Sequence, residues 1–462
     1  MKAVLRTALG AFVLFHLVYA LQYCASRPDE AVAPSPRVPQ YLGSESCQSC
    51  HATEYADWMG SHHQRAMQHA ADSTVLGSFD DVHFESRGVR SHFFRQNGKF
   101  MVNTQGPDSA YHDYEVLYTF GLKPLQQYLV QFPQGRMQAL RTAWDTEQNR
   151  WFDLYPQVDI DPGEWLHWGR GAMNWNTMCA DCHSTQVDKN FDPASESYQT
   201  RFAEVSVGCE ACHGPGETHV KAMQSGAKDY APEKDLYLTA GLSSRAQVDQ
   251  CARCHARRQQ LDEPYDHSGQ LLDHYLPEIL RDDLYHPDGQ IDDEDYVYGS
   301  FVQSKMYHQG VKCSDCHQPH RLELKLTGNV LCLQCHNKEQ LDGPQHHFHP
   351  RESAGATCVN CHMPGKYYMG NDFRRDHSFR VPRPDQSVAY GAPNACTGCH
   401  QDQTDEWASA KVRQWYGPQR KPHFPMRSVW AAPANPRPWT PCWLCSATRK
   451  NRPWPAPRPC GT

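Results

Sequence analysis

The sequence predicts short α-helices and irregular loops wrapped around covalently bound prosthetic groups, with an antiparallel β-rich segment inserted near the start of the chain. Two observations lead to this prediction. Eight copies of the string Cys-x-x-Cys-His run through the 462 residues, and the last seven follow one another at spacings of 19 to 62 residues. By contrast, 132 residues with alternating apolar and polar runs separate the first copy from the second. Such short spacings leave no room for a conventional domain around each copy.

The eight strings, numbered motifs I to VIII in chain order, share one chemistry. Cys-x-x-Cys-His is the attachment site of c-type haem, in which two cysteines form thioethers with the vinyl groups and the histidine lies under the iron as proximal ligand. These residues are Cys47, Cys50 and His51 (I); Cys179, Cys182 and His183 (II); Cys209, Cys212 and His213 (III); Cys251, Cys254 and His255 (IV); Cys313, Cys316 and His317 (V); Cys332, Cys335 and His336 (VI); Cys358, Cys361 and His362 (VII); and Cys396, Cys399 and His400 (VIII). The sequence therefore predicts a multihaem cytochrome c with eight covalently bound c-type haems and their iron.

Two other uses of paired cysteines fit less well. A structural zinc site needs two cysteine pairs for each ion, and zinc chemistry does not require a histidine directly after every pair. A disulfide across two intervening residues would close a strained loop that is easily reduced. Haem attachment uses 16 of the 20 cysteines and leaves Cys24, Cys442, Cys445 and Cys460.

The N-terminus predicts export, which thioether attachment outside the cytoplasmic membrane requires. Residues 1–20 begin with Lys2 and Arg6 and continue as an apolar run typical of a signal peptide, with a cleavage site after Ala20. Without cleavage this leader would be a membrane anchor, and lipidation of Cys24 is disfavoured by its bulky neighbour. We expect residues 21–40, which are rich in proline and alanine, to form a disordered linker. The predicted location is the periplasm.

The charge distribution excludes nucleic acid as a partner. The formal net charge is −7, yet residues 407–462 contain ten basic and no acidic side chains. Residues 21–406 carry 33 basic and 52 acidic side chains, a balance of −19. An acidic surface of this kind repels nucleic acid. The expected partners are periplasmic or membrane redox proteins; no small-molecule substrate is identified, and the oligomeric state is not indicated.

Residues 41–81 form the first haem segment, and residues 82–160 form the predicted β-rich insertion. The pair Asn97-Gly98 between alternating runs in residues 93–102 predicts a hairpin. The runs that would continue an antiparallel meander are 114–120, 127–132, 137–144 and 151–155. The insertion either shields the first haem or is a scaffold with no role in ligand access.

Residues 161–420 contain the other seven motifs and are predicted to be short helices and loops. The tail, residues 421–462, has ten prolines, four tryptophans and no acidic residue, without a helical or strand period. This composition is typical of a frameshifted reading or of a basic disordered tail. Ser446 follows the pair Cys442 and Cys445, so this pair is not a ninth haem site.

Histidines for a second axial ligand are abundant. The chain has 27 histidines, of which eight are proximal and 17 others lie outside the leader and the tail. His320 follows His317 by three residues, and His219 follows His213 by six. A link of roughly 10–20 Å cannot pass around a porphyrin to the other face of the same iron. If His219 and His320 are ligands, they serve neighbouring haems and fix a closely packed array.

Two stretches resemble known cytochromes. YLGSESCQSCHATEYADWMGSHHQRAM resembles the opening of cytochromes related to the tetrahaem carrier of ammonia oxidisers, in which Ser-x-His carries a distal ligand; this implies His63. Roughly residues 40–420 resemble periplasmic multihaem cytochromes that continue into tetratricopeptide repeats. The segments that carry this resemblance, in order, are YTFGLKPLQQYLVQFPQGRMQAL, NWNTMCADCHST, VGCEACHGPGETHV, GVKCSDCHQPH, LCLQCH, CVNCHMP, RRDHSFRVPRP and PNACTGCH.

The second resemblance implies further distal ligands. They are His167, His219, His274, His286, His320, His347 and His377. Alternatives for some of these are His308, His346 and His349. Repeat helices would be expected after the segment WYGP, where the unusual tail is found instead, so this sequence gives no basis for docking through repeats.

The predicted function is electron transfer between redox partners through closely packed, mostly bis-histidine haems. The alternative is a multihaem reductase of a nitrogen or sulfur oxyanion with one open haem. Such enzymes often have lysine in place of a proximal histidine, and no Cys-x-x-Cys-Lys string occurs in the chain. We therefore assign no catalytic residue and favour a carrier over an enzyme. A third hypothesis is assembly, with haems stacked into a filament or with the tail docking a partner.

Overall fold

The structure is a computed structural model that describes residues 40–420, apart from 239–240, 263–264, 279, 282 and 295. The predicted signal peptide, the linker up to residue 39 and the tail after residue 420 lie outside the described residues. Among the described residues, no helix combines the length and the apolar character needed to cross a membrane.

A nine-stranded antiparallel sheet forms the first part of the fold. Its strands are β1 (Met67–His69), β2 (Val82–Ser86), β3 (Val89–Gln96), β4 (Lys99–Gln105), β5 (Tyr111–Phe120), β6 (Leu125–Gln131), β7 (Met137–Ala139), β8 (Thr142–Asp145) and β9 (Arg150–Asp153). The order is β2-β3-β4-β5-β6-β8-β9, with β1 paired to β5 and β7 paired to β6. The predicted antiparallel β-rich segment is therefore confirmed, and β1 adds a strand that the sequence did not predict.

The predicted hairpin joins β3 to β4. Asn97 and Gly98 both have positive φ, at 52° and 78°, between the paired residues Gln96 and Lys99. A two-residue turn with this backbone matches the twist of antiparallel strands, which explains the preference for Asn-Gly. The predicted run at 137–144 is divided into two strands. β7 pairs with residues 129–131 of β6, and β8 pairs with residues 125–126 of the same strand.

Aromatic side chains fill the core of the sheet. Its buried members are Phe79, Phe93, Phe100, Val102, Val116, Tyr128, Val130, Phe132, Leu140, Trp144, Trp151 and Trp168. The ring of Phe93 stacks on Trp151 with centroids 3.6 Å apart and planes at 5°. Ser86 Oγ donates to Asp153 Oδ2 at 2.8 Å and so joins β2 to β9, the two ends of the strand order. The sheet is therefore strongly curved around this core.

The rest of the described chain consists mainly of short helices and irregular loops, as predicted. The α-helices are α1 (Ala52–Trp58), α2 (Trp175–Met178), α3 (Ala180–His183), α4 (Cys209–His213), α5 (Glu217–Gln224), α6 (Ser244–His255), α7 (Leu271–His274), α8 (Tyr298–Val302), α9 (Lys305–His308), α10 (Cys313–Cys316), α11 (Val330–Leu333), α12 (Lys338–Leu341), α13 (Pro344–His347), α14 (Cys358–His362), α15 (Pro384–Tyr390), α16 (Ala395–Cys399) and α17 (Asp405–Tyr416). The 3-10 turns are Ser44–Cys47, Pro133–Gly135, Gly171–Met173, Pro232–Lys234 and Ala354–Ala356. Three two-stranded ladders pair β10 (Phe191–Asp192) with β11 (Ser197–Tyr198), β12 (Arg258–Gln260) with β13 (Tyr275–Pro277), and β14 (Gly365–Tyr368) with β15 (Asp372–Arg375).

Apolar side chains beside the motifs are accessible in this helical part. Met178 precedes a motif cysteine and is 55% exposed, and Val330 begins the helix of motif VI and is 58% exposed. Helices of four or five residues cannot bury much apolar surface against one another, and isolated helices of this length are unstable. A large apolar cofactor against these side chains would supply the missing core.

The aromatic stack in the sheet should contribute strongly to its stability. We expect Phe93→Ala to lower the free energy of unfolding by about 3–5 kcal/mol, because it removes a fully buried ring from a packed core. Urea denaturation followed by far-ultraviolet circular dichroism would measure the change. Gln96→Ala, at the exposed end of the same strand, is the matched control; equal effects of the two substitutions would contradict the packing argument.

Candidate haem sites

Six of the eight motif histidines lie opposite a second histidine at nearly the same distance. The pairs, with their ring-centroid distances, are His51 and His219 (6.3 Å), His255 and His63 (6.3 Å), His213 and His320 (6.4 Å), His317 and His377 (6.4 Å), His362 and His346 (6.1 Å), and His400 and His349 (6.1 Å). Two imidazoles bound to one metal ion at about 2.0–2.1 Å have ring centres roughly 6.3 Å apart. The six pairs therefore have the spacing of two axial ligands on a shared iron.

Backbone carbonyls orient several of these rings. Nδ1 of His213 lies 3.1 Å from the Tyr237 carbonyl, and Nδ1 of His362 lies 2.6 Å from the Arg380 carbonyl. His377 makes the same kind of contact through Nδ1, at 2.9 Å. A ring that donates from Nδ1 to a carbonyl presents an unprotonated Nε2, which is the atom that binds a metal. The residues of these sites therefore fit haem iron.

The surrounding protein favours the neutral form of His63 and His183. Desolvation and then the neighbouring His255 lower the pKa of His63 to about 3. Desolvation also lowers the pKa of His183 to about 4. Neutral imidazole has the free lone pair that a metal ligand needs, so these environments favour the ligating form.

The opposed histidines follow motifs other than the one whose histidine they face. His219 lies on α5, just after motif III, and opposes His51 of motif I. His320 follows motif V and opposes His213 of motif III. Similarly, His63 follows motif I and opposes the histidine of motif IV. This geometry agrees with the chain-length argument that His219 and His320 serve neighbouring haems.

Two carboxylates, one within motif III and one shortly before it, bind the segment that precedes motif I. Glu210, inside motif III and 3% exposed, accepts hydrogen bonds from the backbone N–H groups of Leu42 and Gly43. The carboxylate of Glu204 accepts from Ser44 Oγ at 2.8 Å. Hydrogen bonds to a charged acceptor are among the stronger ones in proteins. The hydrogen bonds of Glu204 and Glu210 fix residues 42–44, just before motif I, against the region of motif III.

A second attachment fixes the loop that carries His320. Asp57 on α1 accepts a hydrogen bond from Gln318 Nε2 at 2.9 Å and forms an ion pair with Arg321. The two donors lie on either side of His320 in the sequence. The loop after motif V is therefore docked on the helix after motif I.

Cysteines of different motifs lie next to each other. Four pairs of thiols lie close enough to shift each other's pKa: Cys47 and Cys209, Cys182 and Cys254, Cys251 and Cys313, and Cys332 and Cys358. These contacts join motif I to III, II to IV, IV to V and VI to VII. Together with the histidine pairs, they place the motifs in a compact array.

The structure does not bring His274 opposite a motif histidine among the described residues. Its Nδ1 lies 2.9 Å from Asp262 Oδ1, and its Nε2 lies 2.9 Å from the Ser268 carbonyl oxygen. Both ring nitrogens are thus engaged by oxygen atoms, and neither points to a motif histidine. From its buried position on α7, His274 thus binds Asp262 and Ser268.

The alternatives His346 and His349, and not His347, are the residues that lie opposite motif histidines. His346 opposes His362, and His349 opposes His400, whereas Nδ1 of His347 accepts a hydrogen bond from the backbone N–H of His349 at 3.2 Å. Successive residues of a helix point about 100° apart, so His346 and His347 on α13 cannot face the same iron. The remaining alternative, His308, contacts Tyr307.

His167 and His286 are not brought opposite a motif histidine within the described chain. His167 is 7% exposed, and its Nδ1 accepts from the backbone N–H of Gly169 at 3.1 Å. His286 Nε2 lies 3.2 Å from Asp292 Oδ1. Their implied role as ligands finds no support in these contacts.

Motifs II and VI lack an opposed histidine among the described residues. The ring of His183 contacts Phe120 at a centroid distance of 4.2 Å, which is too short for a haem to lie between the two rings. For His336 there is no ring contact within the same residues. The two sites therefore differ from the other six.

Polar aromatic residues lie near the cysteines of motif II. Desolvation and then Glu294 raise the pKa of Tyr155 to about 12, with smaller contributions from Asp293 and Cys179. The pKa of Tyr296 is raised by desolvation, Glu294 and the two thiols of the motif. Tyr296 has φ of 61°, which is uncommon for a bulky residue and is often found at functional sites. No sequence signal pointed to these tyrosines, since they come from distant loops.

Three family models match parts of the chain. Residues 166–258 match cytochrome c7 and related cytochrome c, residues 306–341 match a doubled CXXCH motif, and residues 46–105 match cytochrome c554 and c-prime. The chain has the fold of a multihaem cytochrome c, and its CXXCH motifs bind c-type haem covalently.

Individual relatives are similar over larger parts. The multihaem cytochrome MtrA of Shewanella baltica (strain OS185) is 26% identical over 246 residues, which are 51% of this chain and 59% of the relative. The chain thus matches less than two thirds of that protein's length. The crystal structure of the outer cell wall cytochrome OcwA overlaps with a TM-score of 0.57 at 18% identity, over 81% of this chain and 86% of the other, and shows a shared fold. The Wolinella succinogenes octahaem sulfite reductase MccA gives a TM-score of only 0.34 at 14% identity, over 75% of this chain and 59% of the other, and supports no conclusion.

The neighbouring histidines on α13 give a sharp test of ligation. We expect His346→Ala to convert one haem of the oxidised holoprotein from low-spin to high-spin, because it removes the imidazole opposite His362. His347→Ala, one residue away, should leave the electron paramagnetic resonance spectrum unchanged. A high-spin signal in the His347 variant but not in the His346 variant would contradict the assignment.

Proposed function

We propose that the protein transfers electrons between periplasmic or membrane redox proteins through eight covalently bound, mostly bis-histidine c-type haems. The observation that carries the proposal is the set of six histidine pairs at 6.1–6.4 Å, contributed across motifs that contact one another. Haem iron with two protein ligands exchanges electrons without an open position for substrate. Six haem sites with two protein ligands each, packed in one compact array, favour electron transfer over catalysis on a substrate.

The protein's own residues define each closed site. We assign His63, His219, His320, His346, His349 and His377 as the distal ligands. The carbonyls of Tyr237, Arg375 and Arg380 fix ring orientation, and ligand orientation by such contacts tunes the metal. The acidic body would favour association with a partner that presents a basic surface.

We further propose that the chain is exported to the periplasm. The leader at residues 1–20 and the need for haem attachment outside the cytoplasmic membrane support this location. The name of OcwA places that cytochrome in an outer cell wall. The proposed location of the present chain, outside the cytoplasm, agrees with that name. The resemblance to the tetrahaem cytochromes of ammonia oxidisers and to repeat-containing cytochromes stays a prediction.

A reductase of a nitrogen or sulfur oxyanion is the second candidate, and motif II is the observation that favours it. His183 has no opposed histidine among the described residues, and Tyr155 and Tyr296 lie near its motif. Arg374 Nη1 donates to Glu294 Oε1 at 2.6 Å beside them. Phenol and guanidinium groups can donate hydrogen bonds or protons to a bound anion.

The number of haems is tested by mass. Intact-mass spectrometry of holoprotein matured with a haem-attachment system should show eight haems per chain. Replacement of Cys313 and Cys316 by alanine should remove one haem and leave the others, because each motif attaches its own. Seven or fewer haems in the fully matured protein would refute the count.

Turnover, measured beside carbon monoxide binding, distinguishes the two functions. Carbon monoxide should bind the reduced protein only at motifs II and VI, the two sites without an opposed histidine among the described residues, and a carrier should not turn over nitrite, hydroxylamine or tetrathionate. Turnover that Tyr296→Phe lowers at least tenfold would favour the reductase. Tyr367→Phe is the control, since that tyrosine is 67% exposed on β14.

A further inference from the structure

Two histidines outside the motifs face each other on the sheet. His83 on β2 is directly opposite His92 on β3, and the neighbouring pair is Val82 with Phe93. Because side chains alternate between the two faces of a strand and Phe93 is buried, His83 and His92 lie on the outer face. Their rings are stacked at a centroid distance of 4.2 Å with planes at 14°.

A carboxylate completes this cluster. Asp81 precedes β2 with φ of 59°, a left-handed conformation that aspartate tolerates better than most residues. Its Oδ1 lies 2.6 Å from Nε2 of His92. One potential ligand atom from each of the three residues lies within 4.8 Å of the other two.

We propose that Asp81, His83 and His92 form a surface site for a divalent transition-metal ion, with Zn²⁺ as the test ion. Two imidazole nitrogens and one carboxylate oxygen are a donor set that zinc accepts. Magnesium and calcium prefer oxygen ligands and would not select it. The acidic body of the chain raises the local concentration of cations.

The positions of these residues suit such a role. Two strands in fixed register set the spacing of the two imidazoles, so little side-chain freedom is lost when an ion binds. Asp81 and His92 are accessible, with side chains 83% and 28% exposed, so the ion can enter from solvent. Three protein ligands leave a position for water or for a group of another molecule.

An ordinary histidine–aspartate contact on the same sheet provides a matched control. His112 Nε2 on β5 lies 2.8 Å from Asp108 Oδ2. Among the described residues, no second histidine stacks on His112 as His83 stacks on His92. A zinc preference for the proposed site should therefore depend on the paired imidazoles and not on a single exposed pair.

The experiment is a calorimetric titration of untagged, haem-loaded full-length protein with Zn²⁺, which measures the affinity and the number of zinc sites. We expect one site whose affinity falls more than about tenfold in His83→Ala and in His92→Ala, because even outer contacts of metal ligands contribute about 10–100-fold. His112→Ala should bind as the unmutated protein does, and Mg²⁺ should not compete. Zinc should also raise the melting temperature of the unmutated protein and not that of the two variants.

Two results would overturn the proposal. One is zinc affinity unchanged in both His83→Ala and His92→Ala; the other is a loss in His112→Ala as large as theirs. Haem spectra and metal-free melting curves of each variant verify that the fold is intact. If either alanine variant fails to fold, Asp81→Asn, on an exposed side chain, replaces it, and unchanged affinity in that variant would also refute the site.

Discussion

Six imidazole pairs join distant segments of the chain, and the proposed haem sites depend on them. Each pair brings together a motif histidine and a histidine from another part of the chain. Binding of both to one haem iron would cross-link the two segments and would also set the reduction potential of the haem. His219 and His51 connect the third motif to the first, and His320 and His213 connect the fifth to the third. Metal binding of this kind contributes directly to folding free energy. This explains how helices of four or five residues can form a defined structure.

Polar contacts prepare the same arrangement within the polypeptide. The Glu210 carboxylate binds the backbone before motif I, and Asp57 binds the loop after motif V. Both are charge-assisted contacts between segments far apart in sequence. The curved sheet, with its own aromatic core, is a rigid neighbour to which motif II is fixed through Phe120 and His183.

The sequence was sufficient for features that depend on local chemistry. Five adjacent residues define each haem motif, and two adjacent residues define the turn at Asn97-Gly98. Distal ligands depend on which remote loop reaches an iron, and chain spacing alone could only exclude a site, as it did for His219. The choice between His346 and His347 depends on a rotation of about 100° on a one-turn helix, which no pattern in the sequence specifies. Likewise, β1 is a three-residue strand without a visible period, and the tyrosines near motif II meet only in three dimensions.

The proposed interleaved ligation has a consequence for the order of assembly. In the proposed export, a chain that leaves the cytoplasm N-terminus first would present motif I to the attachment machinery long before residue 219 emerges. Until His219 is exported, solvent or a temporary ligand would occupy the distal side of the first haem. His346 and His349 precede motifs VII and VIII in the chain, so they would be exported before the haems of these motifs are attached. We expect early haems to pass through an exposed, reactive stage that the late ones avoid. Protection of nascent haem would therefore matter most at the beginning of translocation.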